Sequence, residues 1–336
     1  MSIKDSLGNT LPKTALVIRA TEISEFRNCR RKWWFSSHNG LNLEPKLRNK
    51  KLSEGICWHA GLESYYRNDG DFATGFDAAF DRETDLMQMV IGDGLFDEEI
   101  QRDLQERYNR AIALAELYEQ WATTEAYPSD SDLQVIDVEK RLLVPIRNPG
   151  TNYKTGFWIA TKLDAIVQDK TNPNLFYGME HKYQSKSTRV DNPQHLPLDI
   201  QTGVQQYVLQ QYLNHTYGPD CIAAGTLYNL TRKQMPGPKV TAPLFGRHLI
   251  NRSPKELKIL IESVWRDGQQ MRRAKRLKHE RVYNPQQTGI CTWGCAFRDV
   301  CESMNRDEDV ELTLFTEFQL REHTIWQLLE EEMKGE

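Results

Sequence analysis

"GFWIATKLDAIVQDKTNPNLFYGMEHKYQ", Gly156 to Gln184, holds two runs rich in aromatic and branched apolar residues on either side of a polar turn. "GFWIATKLDAIVQD" (Gly156–Asp169) and "NLFYGMEHKYQ" (Asn174–Gln184) read as strands, and "KTNPN" supplies the turn between them. A third run of the same kind, "LQVIDVEKRLLVPI" (Leu133–Ile146), comes just before. The expectation is a three-stranded meander. Downstream, "PLDIQTGVQQYVLQQYLNHTYG" reads as a helix ending near Gly218, and "CIAAGTLYNLT" as a buried strand. β-structure or irregular chain is expected around "APLFGRHLI", and Ser253 can cap a long helix from about Pro254 to Glu280. Strands and helices in this order make an α/β fold with a mixed central sheet.

Upstream the period is helical. In "RATEISEFRNCRRKWWFSSHNG", Thr21 is a plausible N-cap, and Ile23, Phe26 and Trp33-Trp34-Phe35 supply the buried side of a short helix. A basic loop is expected up to Leu52. Ser53 to Arg67 has helical spacing and places His59 and Glu63 one turn apart on a common face. Phe72 to Glu125 reads as a helical insertion broken near "IGDGLFDEE", and a polar helix from about Thr313 closes the chain. The expected organisation is a single elaborated domain. Residues 21–70 carry the first helices, 72–125 the insertion, 133–250 the core, 253–305 a basic helix with clustered cysteines, and 306–336 the last helix.

At 336 residues, 39% of them hydrophobic, the chain can bury a sizeable core. No apolar run approaches the ~20 residues needed to cross a bilayer, and "MSIKDSLGNTLPKT" lacks the apolar segment of a secretory signal. These features predict a cytoplasmic protein without membrane association, where six cysteines argue against a disulfide framework. The net charge of -4 does not advertise nucleic-acid binding. Positive charge is nevertheless concentrated locally: Arg27, Arg30, Arg31 and Lys32; Lys46, Arg48, Lys50 and Lys51; and "MRRAKRLKHER" from Met271 to Arg281. Each run alone is an ordinary solvated face, but three separate runs suit a phosphate path.

Side chains at i and i+2 of a strand share a face, so Glu180 and Lys182 point together. Asp164, on the preceding strand, can meet Glu180 across the hairpin. Cutting a phosphodiester at neutral pH needs an activated water and neutralised phosphate charge, and Mg²⁺ or Mn²⁺ on carboxylate oxygens supplies both. Asp164, Glu180 and the backbone carbonyl of His181 form a ligand set, with Lys182 placed to orient the water. Glu139, on the first meander strand, is a weaker candidate. A solvated ion pair would equally account for Glu180 and Lys182 taken alone.

"CTWGCAFRDVC" spaces Cys291, Cys295 and Cys301 as Cys-x3-Cys-x5-Cys. Thiols this close point to soft-metal binding. Zinc and a [4Fe-4S] cluster both want four ligands. Cys57 and Cys221 lie in an expected helix and an apolar strand, whereas Cys29, in "FRNCRRKWWF", sits beside basic and aromatic residues.

"KLDAIV" followed by "GMEHKYQS" resembles the core of the PD-(D/E)xK nuclease superfamily, and more narrowly its RecB-type branch, with AddB nuclease domains, CRISPR-associated RecB-like exonucleases and phage relatives. The resemblance runs from about Thr21 to Cys301. It implies a restriction-endonuclease-like core whose N- and C-terminal segments are joined by a metal cluster. Gly55-Ile56-Cys57-Trp58-His59 fits the branch's Gly-x-x-x-His pattern, which implies His59 as a metal ligand beside Asp164 and Glu180. Glu63 is then an outer candidate. The branch's Gln/Tyr helix is matched by Gln201, Gln205 and Tyr207, although Gly203 stands four residues before Tyr207 where Gln is usual. The branch's [4Fe-4S] cluster implies Cys29, Cys291, Cys295 and Cys301 as ligands. The x3 spacing, where x2 is common, leaves zinc open. The implied activity is a metal-dependent DNA exonuclease on single strands or ends, in recombination, repair or phage DNA processing. Protein partners in those processes would be natural. The glutamines and Tyr207 would then touch the DNA backbone; Trp33, Trp34 or Trp293 would stack bases if exposed, but core packing around the cluster is the role expected of them. A non-catalytic DNA-end binding subunit and an iron-sulfur redox or sensor protein are the competing readings.

Overall fold

In the computed structural model all residues are described except 1–2, 13, 48–49, 69, 93–95, 186–189, 192–193, 277–289 and 329–336. The chain divides into two compact units. One comprises Met1–Lys46, Arg141–Thr161 and Ser253–Glu336; the other comprises Leu47–Lys140 and Lys162–Arg252.

The second unit contains most of the expected meander. β3 (Leu133–Arg147) pairs with β4 (Lys154–Asp169), and β4 runs antiparallel to β5 (Leu175–Gln184) from Ala165–Met179 to Gln168–Phe176. Helix α6 (Ile200–Thr216) then crosses over, so β6 (Ile222–Arg232) joins β5 in parallel, and β7 (Phe245–Ile250) returns antiparallel to β6. The sheet is mixed, as the order of elements requires. Ala165, Val167, Met179 and Leu227 fill one of its cores.

Against this sheet stand α3 (Lys50–Arg67), α4 (Phe72–Ile91) and α5 (Glu98–Thr124), packed through Trp58, Leu62, Phe76, Leu114 and Tyr118. The basic segment before Leu52 is not one loop: α3 already begins at Lys50. Arg48 lies outside the described residues. α3 and α4 approach so closely that a Cβ at Gly75 would lie 2.2 Å from the Ala60 carbonyl oxygen and 2.7 Å from Ser64 Cβ. Gly75→Ala is therefore expected to destabilise the protein by about 2 kcal/mol or more, because backbone cannot yield as a side-chain tip can. Gly55→Ala, with nothing within 4 Å of the new methyl, is expected to be neutral or slightly stabilising. Denaturant midpoints for the two variants check the contrast; equal midpoints would refute the close approach.

In the first unit β1 (Leu16–Arg19) lies parallel to Phe157–Ala160 of β4. α1 (Ala20–Asn28) follows directly, capped by Arg19 and not by Thr21. The reason is Glu22, whose carboxylate accepts from the Arg19 backbone N–H at 3.4 Å and from its guanidinium at 2.9 Å, satisfying the helix start without a hydroxyl. Cys29 breaks the expected helix in extended conformation, and α2 (Arg30–Ser36) resumes from it. Ile23, Phe26, Trp33 and Phe35 are buried as their spacing required. α7 is described over Pro254–Arg276; the rest of the expected helix, and of the basic run to Arg281, lies outside the described residues.

The chain's first and last segments fold together inside this unit. α8 (Ile290–Trp293) and α9 (Arg298–Asn305) carry the clustered cysteines. Phe297 stacks on Phe35 at 4.9 Å and on Phe318 at 4.6 Å. The expected closing helix is interrupted: a helical stretch resumes over residues 325–328, and residues 329–336 lie outside the described residues. α10 (Glu311–Glu317) gives way to β8 (Phe318–Leu320), which pairs antiparallel with β2 (Leu43–Pro45). Burial of Phe318 against Phe297 is a tertiary contact that overrides the local helical pattern.

Candidate active site

The site is built by the meander's exit. One residue beyond the Ala165–Met179 pair, the same antiparallel register brings Asp164 opposite Glu180. Opposed residues of a ladder share a face, so two carboxylates meet. Glu180 is buried, 2% exposed, which makes its charge costly unless it is paired. Three donors answer it. Lys182 Nζ contacts Oε1, Gln201 Nε2 donates to Oε1 at 2.9 Å, and Gln205 Nε2 donates to Oε2 at 2.5 Å. Asp164 Oδ2 accepts the His181 backbone N–H at 2.7 Å.

The electrostatics follow from this crowding. Burial, and then the charge of Glu180, raise the pKa of Asp164 above the ordinary carboxylate range. Burial works against the Lys182 ammonium, but Glu180, with Tyr228 and Asp164, overcomes it and holds the lysine charged. His59 comes from α3, its Nδ1 3.4 Å from Asp164 Oδ2. Burial and the nearby Lys182 push its pKa down to about 4, so at neutral pH the ring is uncharged, the form that ligates metals. A hydrogen bond with the His181 main chain favours the protonated ring, and only the carbonyl oxygen can do that. The His181 side chain points elsewhere: it is buried, held neutral by burial, and accepts from Asn229 Nδ2 at 3.3 Å.

Among the described residues one trio, His59, Glu139 and Asp164, brings donor atoms within 4.8 Å of one another. Two carboxylates and a neutral imidazole are a donor set that Mg²⁺ or Mn²⁺ accepts. Glu139 thus has a stronger place than its strand position suggested. It holds a left-handed backbone (φ 60°) and contacts Lys162. Such a φ costs of order 1–3 kcal/mol for a non-glycine residue and concentrates at functional sites. Tyr228 was missed by sequence reasoning; β6 pairs it with Glu180, and the charges of Lys182 and Glu180 act on its phenol.

Of the other expected residues, Tyr207 and Glu63 are placed apart from this cluster. Gln201 and Gln205 are turned inward to Glu180, whereas Tyr207 is about 200° round α6 from Gln205 and half-buried. Glu63 binds Arg67 at 3.0 Å in a solvent-exposed pair, outside the trio. Of the tryptophans, Trp33 is fully buried, and nothing is described of the Trp293 side chain.

The four cysteines of interest all belong to the first unit, and none is in a disulfide. Burial raises the Cys295 thiol pKa; Lys32 lowers it, and Cys29 and Cys291 are close enough to raise it further. Cys29 Sγ accepts from Lys32 N at 3.5 Å, and Arg31 Nη1 reaches Cys301 Sγ at 2.9 Å. Four soft donors beside cations are chemically compatible with a metal cluster, although no three sulfurs fall within 4.8 Å of one another among the described residues.

Residues 19–302 match the family model of the PD-(D/E)XK nuclease superfamily. No curated protein matches the chain significantly. A solved structure from Eubacterium rectale, described as a candidate exonuclease, aligns with a TM-score of 0.40 at 10% identity, over 84% of this chain and 94% of that one. No helix among the described residues is long and apolar enough to cross a membrane.

Proposed function

We infer, since the chain belongs to the PD-(D/E)XK nuclease superfamily, that it is a metal-dependent DNA nuclease acting on single strands or DNA ends. The observation that carries this is the buried Glu180 facing Asp164, with Lys182 on the same carboxylate and a neutral His59 against Asp164. A surface ion pair would need neither the burial nor the second carboxylate.

His59, Asp164 and Glu139, with Glu180 and the His181 carbonyl, are the groups that would hold the cation. Bound there, Mg²⁺ or Mn²⁺ supplies an acidified water and charge neutralisation on the phosphate. The protein's own part is positioning. Gln201 and Gln205 fix the Glu180 carboxylate from the helix side. Lys182 keeps its proton at Nζ and presents a fixed positive charge that can orient the attacking water and offset charge developing on the phosphoryl oxygens. Tyr228, paired with Glu180 from β6, lies within electrostatic reach of that lysine. In the first unit, Cys29, Cys291, Cys295 and Cys301 are the proposed ligands of a [4Fe-4S] cluster that fastens the chain's start to its end. DNA recombination, repair and phage DNA processing are the settings this chemistry suits.

The test uses protein purified without oxygen, Mn²⁺ or Mg²⁺, and end-labelled linear single strands beside closed single-stranded circles. Loss of the linear strand alone is the expected result and makes the enzyme end-dependent. Cutting of circles too would make it an endonuclease. If neither is cut by metal-loaded protein, the catalytic reading fails and DNA-end binding without cleavage replaces it.

A further inference from the structure

The first unit contains a cavity of about 620 Å³, within the ~300–1,000 Å³ of ordinary ligand clefts. It lies between the β3–β4 turn and the last turns of α7, and none of its lining residues belongs to the unit that carries the carboxylates. Lys154, Arg272, Arg273 and Arg276 line it together with Tyr153 and Trp265. No acidic side chain does, and none of the four cations forms an ion pair among the described residues.

Arg272 is the fixed point. Its guanidinium lies 3.8 Å over the Phe157 ring and donates to the Thr155 carbonyl at 2.8 Å. Gly156, at φ +74°, makes the close approach possible, since a Cβ there would lie 3.1 Å from Arg272 Nη2. A guanidinium has five N–H donors, so most of Arg272's remain for a ligand. Burial and the neighbouring Arg276 both work against its charge, and among the described residues no carboxylate pairs with it. Around it, Lys154, Arg273 and Arg276 are exposed, and Tyr153 is 75% exposed. A large aromatic held in water beside uncompensated cations is how proteins read single-stranded nucleic acid: bases stack while phosphates meet the charges. A free small anion would use the cations and leave Tyr153 and Trp265 unexplained.

We propose that this cavity is a second DNA-contacting site, separate from the carboxylate cluster, that binds a single strand through stacking on Tyr153 and Trp265 and phosphate contacts to Arg272, Arg273, Arg276 and Lys154. It rests on the reading of the protein as a nuclease.

The probe is a fluorescein-labelled oligothymidylate of about 30 nucleotides, long enough to cover several contacts, followed by anisotropy in EDTA so that nothing is cut. Arg273→Gln combined with Arg276→Gln is expected to weaken binding about tenfold and flatten the slope of log K against log salt by about 1.4, two single-strand phosphates. Tyr153→Ala is expected to weaken binding about tenfold with the salt slope unchanged. All three side chains are exposed, so unchanged melting temperatures confirm folding. Wild-type cleavage of the same strand in Mn²⁺ is measured separately. Variants that bind as wild type, in a preparation where wild type cuts, overturn the cavity and leave the nuclease reading standing. Wild-type binding that the variants weaken, in a protein that cuts nothing, keeps the cavity and removes the nuclease reading. Thymidine monophosphate binding as tightly as the strand overturns the assignment to a polynucleotide.

Discussion

Lys182→Ala is expected to lower the rate of strand cleavage by about 10³-fold while the protein stays folded in the presence of Mn²⁺. Lys182 Nζ contacts Glu180 Oε1, and Asp164 stands opposite Glu180. Without the lysine, the described groups answering that carboxylate are two neutral amides, Gln201 and Gln205. Two buried carboxylates then repel each other, so the variant should melt at a lower temperature than wild type in EDTA. A divalent cation can replace the missing positive charge, so Mn²⁺ should recover most of that loss without recovering cleavage. The sign with pH is fixed as well. The Lys182 pKa is raised in the folded protein, so its contribution to stability is fully present below about 10.5 and is lost only as pH rises above that. Asp164 is raised too, so proton and cation compete for it, and Mn²⁺ affinity should fall as the pH drops through the neutral range. Cleavage by Lys182→Ala at the wild-type rate would reduce Glu180 and Lys182 to an ion pair on a strand.

The site was legible in the sequence to the extent that strand geometry decides it. The three meander strands begin and end within two residues of their expected bounds, because β-branched and aromatic residues and a polar turn mark them locally. Once they are strands, the Glu180–Lys182 face follows from a period of two, and Asp164 from a short hairpin. The α6 glutamines were legible as a pair at i and i+4. Their partner was not: reaching Glu180 depends on how the helix packs on the sheet, which a local pattern does not set. Tyr228 was hidden for a related reason. Its pairing with Glu180 is parallel and non-local, across the whole α6 crossover, and no local pattern sets that register. Glu139 needed a left-handed backbone that glutamate does not advertise. At the chain's ends, β8 and the break at Cys29 come from packing between segments that lie far apart in sequence.

That break supplies the second large effect. Cys29→Ser is expected to remove the visible absorbance of anaerobically purified protein, with its bound iron and sulfide, and to lower the melting temperature by about 10 °C. The substitution separates two roles. Cys29 is the N-cap of α2, its sulfur accepting from Lys32 N, and serine is a better cap than cysteine. If capping were all that Cys29 did, Cys29→Ser would be neutral or slightly stabilising. If Cys29 ligates a cluster with Cys291, Cys295 and Cys301, its loss opens a cross-link closing a loop of more than 260 residues. The chain-entropy model values such a closure at about 5 kcal/mol, several times any gain from the better cap. The stacked Phe35, Phe297 and Phe318 already hold the two ends together, so the variant should remain folded at low temperature and lose its margin only on heating. Zinc in place of iron and sulfide, lost in the same variant with the same fall in melting temperature, would keep the staple and change the metal. Wild-type protein with neither metal, melting no higher than Cys29→Ser, would leave the four cysteines as ordinary thiols of an aromatic core.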